Sequence, residues 1–410
     1  MSLYHIISLL IIISAAFAYI NHRFIKMPFV IGLFFLSTIL SLGIISLKFW
    51  DIQHYTQIHD FIEKAEISDF ILDILLGFLL FAGALHTNWA NIKSQIKPIA
   101  IFAIPGVILS TILIGYSFYY LCGWFGINIE LIYCLILGAI VSPTDPIAVL
   151  GILTKAKVSQ KTESTIVGES LFNDGIGVVV FVALLHTLNH KSDGIDLVFF
   201  GKLFAQEALG GGIIGAILGF TLHRLLRSID DYETEVLLTI AFVMGGYWMC
   251  NFIHISGPLA MVIMGLLVGN YKKSKAMSDV TQEYIGKFWE LFDVILNALL
   301  FITIAFIIIV IDINVTYLII SLITIFIVLL SRIIVVFLPK LILPRIVQIT
   351  NSEAKIIIWG GLRGGLSIAL VLSLPVSPQR DLLILITYVI VVVSILVQGM
   401  TIERLVRKLK

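Results

Sequence analysis

Runs of about twenty apolar residues recur along the chain, separated by short polar clusters, and a run of that length crosses the hydrocarbon of a bilayer as a helix. About thirteen such spans are predicted, near 3–20, 28–47, 69–87, 98–121, 130–153, 163–187, 199–223, 234–252, 256–270, 287–311, 315–338, 354–375 and 381–402. The pattern predicts an all-α polytopic membrane protein with a single transmembrane domain over 1–410 and no soluble domain, long linker or low-complexity tail. Ala16-Phe17-Ala18 resembles a leader-cleavage site, but no basic region precedes it and Arg23 and Lys26 follow, so the first run is read as a retained span.

Composition strengthens this picture. Of 410 residues 59% are hydrophobic and only 13% charged, against roughly 25% charged in ordinary soluble domains. Lys plus Arg (27) nearly balances Asp plus Glu (26), which argues against nucleic acid as a partner and leaves membrane lipid as the expected surroundings. Cys122, Cys134 and Cys250 lie in or beside apolar runs with no metal-binding spacing. Assigning loops alternately to the two sides puts twenty Lys and Arg on one side and five on the other. The positive-inside rule then places the C-terminus in the cytoplasm and the N-terminus outside.

The ionisable residues left at membrane depth are Asp73, Asp145, Glu169, Asp174, Asp293, Arg332 and Arg363. Each costs about 2.5 to 3.5 kcal/mol at a helix centre, so such groups pair, face a cavity or mark an ion path. In Ser142-Pro143-Thr144-Asp145-Pro146 two prolines bracket Thr-Asp and would free the carbonyls of Ala139 and Ser142. The expectation is an unwound stretch lining a cavity, with bare oxygens beside a carboxylate suited to a hard monovalent cation. In the next span, Glu169, Ser170, Asn173 and Asp174 fall within two turns; Ser170 with Asp174, and Glu169 with Asn173, are four apart. Four glycines flank Arg363 in Gly360-Gly361-Leu362-Arg363-Gly364-Gly365, weakening a second helix and permitting close approach of another backbone. A matched pair of interrupted spans in the two halves points to inverted repeats with a site where they cross. Either Arg332 or Arg363 could neutralise Glu169.

Other matches read as packing. Gly210-Gly211-Gly212-Ile213-Ile214-Gly215 satisfies a nucleotide-binding pattern, but it lies in an apolar span with no strand before it, so Gly211, Gly215 and Gly219 are expected to form a helix-packing face. No nucleotide is expected. The nine histidines form no ligand cluster, although His223 and His254 could tune a pH response. Glu290, Asp293 and Asn297 recur on one helix face, either solvated or lining an ion funnel. Asp73 reads as a solvated cap near a span end.

Taken in order, Ser142 to Pro146, Glu169 to Asp174 and Gly360 to Gly365 resemble the monovalent cation:proton antiporter family, in the branch of NhaP-type bacterial sodium/proton antiporters related to eukaryotic sodium/proton exchangers. The resemblance runs over the whole span set. It implies a homodimer in a bacterial plasma membrane and a moving bundle at 130–187 and 315–375. It also implies a scaffold at 3–47 and 199–270, an elevator-like movement and two crossing broken helices. Residue by residue it implies that Asp174 carries the proton and the cation, with Asp145, Thr144, Ser170 and Asn173 completing the Na+ site. Glu169 and Arg332 match a structural ion pair, and Arg363 the arginine of the second broken helix. No cofactor is implied beyond the transported ions, Na+ or Li+ or, as an alternative, K+, together with H+. Asn173, standing where electrogenic relatives carry a second aspartate, implies one-for-one electroneutral exchange. The long regulatory tail of animal exchangers is not expected, since the sequence stops eight residues after Ile402.

Physically, exchange needs one site that a proton and a cation cannot share, and a carboxylate serves because protonation removes the charge that holds the cation. A passive cation channel would use the same carboxylates without obligatory protonation. An enzyme is not expected, because no Ser/His pair or metal-ligand cluster appears at membrane depth.

Overall fold

The structure is a computed structural model and describes residues 3–63, 75–145, 153, 158–189, 197–270, 279–311 and 314–409. Every element in them is helical. In chain order these are α1 (Leu3–Ile20), α2 (Phe29–Trp50), α3 (Ile52–Glu63), α4 (Leu76–His86), α5 (Trp89–Ser94), α6 (Ile96–Ala103), α7 (Pro105–Trp124), α8 (Leu131–Val141) and α9 (Gln160–Asn189). They continue with α10 (Leu197–Leu226), α11 (Tyr232–Phe252), α12 (Gly257–Asn270), α13 (Asp279–Phe306), α14 (Val315–Ile342), α15 (Asn351–Trp359), α16 (Gly365–Leu372), α17 (Pro378–Val393) and α18 (Gly399–Leu409).

Among the described residues nine helical stretches are long and apolar enough to cross a membrane, and Leu76–His86, Leu131–Val141 and Gly257–Asn270 are shorter apolar helices. Their positions follow the apolar runs closely; the run at 315–338, for example, is α14 at Val315–Ile342. Asp73, Pro146, Lys155, Lys157 and the lysines at 272, 273 and 275 lie outside the described residues.

One helix falls where the pattern showed only a loop. α3 is too polar for a span, yet its Ile58 and Ile62 pack with Leu10, Leu33 and Phe306, and Tyr55 Oη donates to Ile309 O at 3.1 Å. Its apolar positions recur at helical spacing, which gives a half-buried surface helix rather than a crossing one.

The glycine face of α10 packs as expected. A methyl added at Gly211 would come within 2.6 Å of Ser256 O, and one at Gly215 within 2.5 Å of Ala260 O, so α12 can lie against α10 only because these positions lack a side chain. On its far side α12 presses Gly265 against Phe81 O of α4, at 2.6 Å from such a methyl. Phe81 in turn stacks edge-on with Trp289 of α13, their centroids 4.8 Å apart, and the indole donates to Thr239 Oγ1 at 3.0 Å. Cys122, Cys134 and Cys250 are buried free thiols.

Candidate functional site

α8 stops at Val141 because Pro143 has no N–H to continue it, and the chain runs on without helix to Asp145. Side chains replace the lost helical partners. Ser142 Oγ donates back to Gly138 O at 2.6 Å. Thr144 N donates to Asn173 Oδ1 at 3.2 Å, Asn173 Nδ2 donates to Thr144 Oγ1 at 2.9 Å, and the hydroxyls of Thr144 and Ser170 lie 2.9 Å apart. α9 therefore fixes this stretch through two side chains one turn apart.

A second interruption lies between α15 and α16. Gly360 still donates to Ile356 O at 2.8 Å, but Leu362 O receives the Asp145 N–H at 2.8 Å in an antiparallel backbone bridge. The glycines serve approach rather than unusual backbone: none has a positive φ, and a methyl on Gly364 would strike the Asp145 carboxylate. Gly361 likewise faces Arg332, whose Nε would lie 2.7 Å from a methyl there.

Of the two carbonyls expected to be bare, that of Ser142 is not. Arg363 Nη1 donates to Ser142 O at 2.5 Å and to Pro143 O at 2.9 Å, and Ser367 Oγ donates to Ile140 O at 2.7 Å. A resident guanidinium thus satisfies the C-terminal end of α8, where helix carbonyls concentrate negative potential and an unmet buried oxygen would be costly. This corrects the expectation that the Ser142 carbonyl stands open beside the carboxylate.

Glu169 is 1% exposed and paired with Arg332: Nη1 donates to Oε1, and Nη2 donates to Oε2 at 3.0 Å and to Ile357 O at 3.1 Å. Of the two arginines that could neutralise it, the structure selects Arg332. The pair joins α9, α14 and α15.

Asp174 points elsewhere. Together with Asp145 and Thr144 it lines a cavity of about 80 Å³ whose apolar wall includes Leu79, Leu171 and Leu300. That is room for two or three waters or a partly hydrated ion, at about 30 Å³ per water. Asp174 has no ion-pair partner among the described residues, and Asp145 lines the same cavity. Ser170 and Asn173, each buried, stand behind Thr144 rather than in the cavity lining. Glu290 is exposed, while Asn297 is buried and donates to Asp293 O at 2.8 Å; neither Asp293 nor Asn297 lines the cavity. His223 is buried and His254 sits exposed in a loop at φ 53°.

The family described as sodium/hydrogen exchanger, transmembrane, matches residues 12–408. The chain belongs to that family. Its curated relatives include the Na(+)/H(+) antiporter NhaP of Pseudomonas aeruginosa, 41% identical over 411 residues covering 98% of this chain and 96% of that one. The Na(+)/H(+) antiporter NhaH of Halobacillus dabanensis is 35% identical over 343 residues, 83% of each chain. Among solved structures the sodium proton antiporter MjNhaP1 from Methanocaldococcus jannaschii, at 19% identity, superposes with a TM-score of 0.76 over 98% of this chain and 97% of that one, which establishes a shared fold.

In this sodium/hydrogen exchanger neutral polar residues also hold the two interruptions, where the pattern of charges carries no sign of them. Ser367 is a neutral hydroxyl in an apolar helix, and Ser394 and Gln398 are neutral polar groups near the end of an apolar run. The spacing of four between Ser394 and Gln398 is the one sign of them that the sequence carries. Leu79 and Leu300 carried no signal, because an apolar residue in a membrane span looks the same whether it faces lipid or an ion cavity.

Proposed function

We propose that this protein exchanges Na+ for H+ one for one across the membrane, with Asp174 as the group that binds either ion. The observation that carries this reading is the shared cavity: Asp174 and Asp145 face one small space with Thr144, while the nearby guanidinium of Arg363 is committed to backbone carbonyls. Two carboxylates in so small a volume favour taking up a cation or a proton, and a proton on Asp174 removes the charge that holds the cation. Asp145 and the Thr144 hydroxyl would supply further oxygens, while Ser170 and Asn173 hold Thr144 in place. Because Asn173 is neutral, one charge moves each way. Sodium is favoured over potassium by the names of the relatives, which are Na(+)/H(+) antiporters.

The same reading makes the interruptions after α8 and between α15 and α16 the crossing broken helices of an inverted-repeat fold of thirteen spans, with the C-terminus cytoplasmic. The Asp145 to Leu362 bridge supports the crossing. The segments 130–187 and 315–375 would move together, a role that suits the Glu169–Arg332 pair and the Ser367 to Ile140 bond that link them. The segments 3–47 and 199–270 would form the dimer scaffold, a role that suits the glycine-packed layer of α10 and α12.

The test is exchange by the purified protein in proteoliposomes. A Na+ gradient should drive a pH change, insensitive to imposed voltage and lost in Asp174→Asn. The apparent affinity for Na+ should improve as pH rises, because fewer protons compete for the carboxylate. Exchange that survives in Asp174→Asn removes the assignment, and a current that reverses with voltage removes the stoichiometry.

A further inference from the structure

The second interruption is held from behind by a hydrogen-bond chain whose side chains lie outside the cavity lined by Asp174. Between α17 and α18 the helix widens into a single π turn, Ser394–Gln398, a feature that commonly marks functional positions. From this turn Ser394 Oγ accepts the Arg363 N–H at 2.8 Å and donates to Gln398 Oε1 at 2.8 Å. Gln398 Nε2 donates to Trp359 O at 3.4 Å, and the Trp359 indole donates to Thr401 Oγ1 at 2.9 Å. Trp359 ends α15, so one side chain of the turn takes up a carbonyl and the other an amide that the break has left without a helical partner.

Packing alone does not fix this region. Behind the break lies a second cavity, about 70 Å³, lined in part by Arg332, Arg363, Ser394 and Gln398 and separate from the one that holds Asp174. Arg332 Nε is buried there without a hydrogen-bond partner. The backbone at Arg363 therefore has space to move, and the Ser394 hydroxyl tethers it to the turn after α17. On its other side the Arg363 guanidinium grips the Ser142 and Pro143 carbonyls, the residues next to Thr144 and Asp145. A displacement of Arg363 is thereby passed to the oxygens of the cavity.

We propose that Ser394 and Gln398 are positioning residues for the transported cation: through the Arg363 backbone they set where the stretch from Ser142 to Asp145 stands relative to Asp174. They touch no ion themselves. The proposal rests on the exchange reading above. Groups bonded directly to metal ligands typically change affinity about 10- to 100-fold when removed, and Ser394 and Gln398 act one step further back, which sets the low end of that range as the expectation.

The experiment measures Na+ dependence of exchange in proteoliposomes for the full chain, Ser394→Ala, Gln398→Leu and the conservative Ser394→Thr. In parallel, the Na+ concentration needed to raise the melting temperature in detergent is read without turnover. Ser394→Ala and Gln398→Leu should raise the KM for Na+ about tenfold with Vmax within about twofold. Their stabilisation by Na+ should need correspondingly more salt, and Ser394→Thr should behave as the unaltered protein. An unchanged KM in both variants, with only Vmax or the yield of folded protein reduced, overturns the proposal, as does the same Na+ requirement for stabilisation in all four proteins. Absence of Na+-driven exchange in the unaltered protein would instead defeat the exchange reading, whatever the variants show.

Discussion

The stretches at 142–145 and 360–364 both leave the helical path, and they do so by opposite chemistry. The first is broken by subtraction: Pro143 cannot donate, so carbonyls are released, and the chain is recaptured by Asn173, Ser170 and Arg363. The second is broken by permission: small residues at 361 and 364 let Arg332 and Asp145 come closer than any side chain would allow. One stretch supplies oxygens and a carboxylate, the other the positive charge that holds those oxygens still. Neither is sufficient alone, since the backbone bridge from Asp145 to Leu362 needs proline-freed chain on one side and bare backbone on the other.

That contrast can be broken most sharply at Gly364. Gly364→Val places branched carbon on the Asp145 carboxylate and should abolish Na+-driven exchange in vesicles, whereas Gly123→Val, which meets open space, should retain it. Equal activity of the two would mean that close approach at Gly364 is unimportant.

The next largest effect concerns the charge behind the breaks. Arg332→Met leaves Glu169 buried without its partner and should cost about 3 to 5 kcal/mol, seen as a lower melting temperature. Adding Glu169→Gln should recover most of that loss, because the penalty lies in the stranded charge. If the double variant is no more stable than Arg332→Met, the pair is not the source.

At the proline-built stretch, Thr144→Val keeps the shape but strands the Ser170 hydroxyl and the Asn173 amide, at about 1 to 3 kcal/mol. A weakened Na+ affinity is expected alongside it. Smallest is Ser367→Ala, which removes one hydrogen bond between α16 and α8 at the edge of the Asp174 cavity; it should cost about 1 kcal/mol and raise the Na+ KM less than Thr144→Val does. A larger KM change there than in Thr144→Val would reverse the ranking of the two stretches.

Much of this was legible in the order of residues. Prolines at 143 and 146 and glycines around Arg363 announced two interruptions, because backbone hydrogen bonding and side-chain size are properties of the residue itself. The charges at depth, Asp145, Glu169, Asp174, Arg332 and Arg363, stood out because each is costly in a membrane. α3 was hidden, since its apolar positions serve a surface rather than a span. Ser170 and Asn173 sit on the helix that carries Asp174, as their spacing required, but spacing could not say that they would bond Thr144 and stay out of the cavity lining.

The sequence by itself determined that the chain is a bundle of membrane helices, that two of its segments are interrupted, and which acids and bases lie at depth, because hydropathy, proline and glycine act locally. Only the tertiary structure decided the partners. Glu169 chose Arg332, Arg363 chose the carbonyls of Ser142 and Pro143, and Ser394 chose the Arg363 amide. Each of these contacts joins residues at least 31 positions apart, and in a medium without water the deciding factor is which polar groups the packing of helices leaves facing one another.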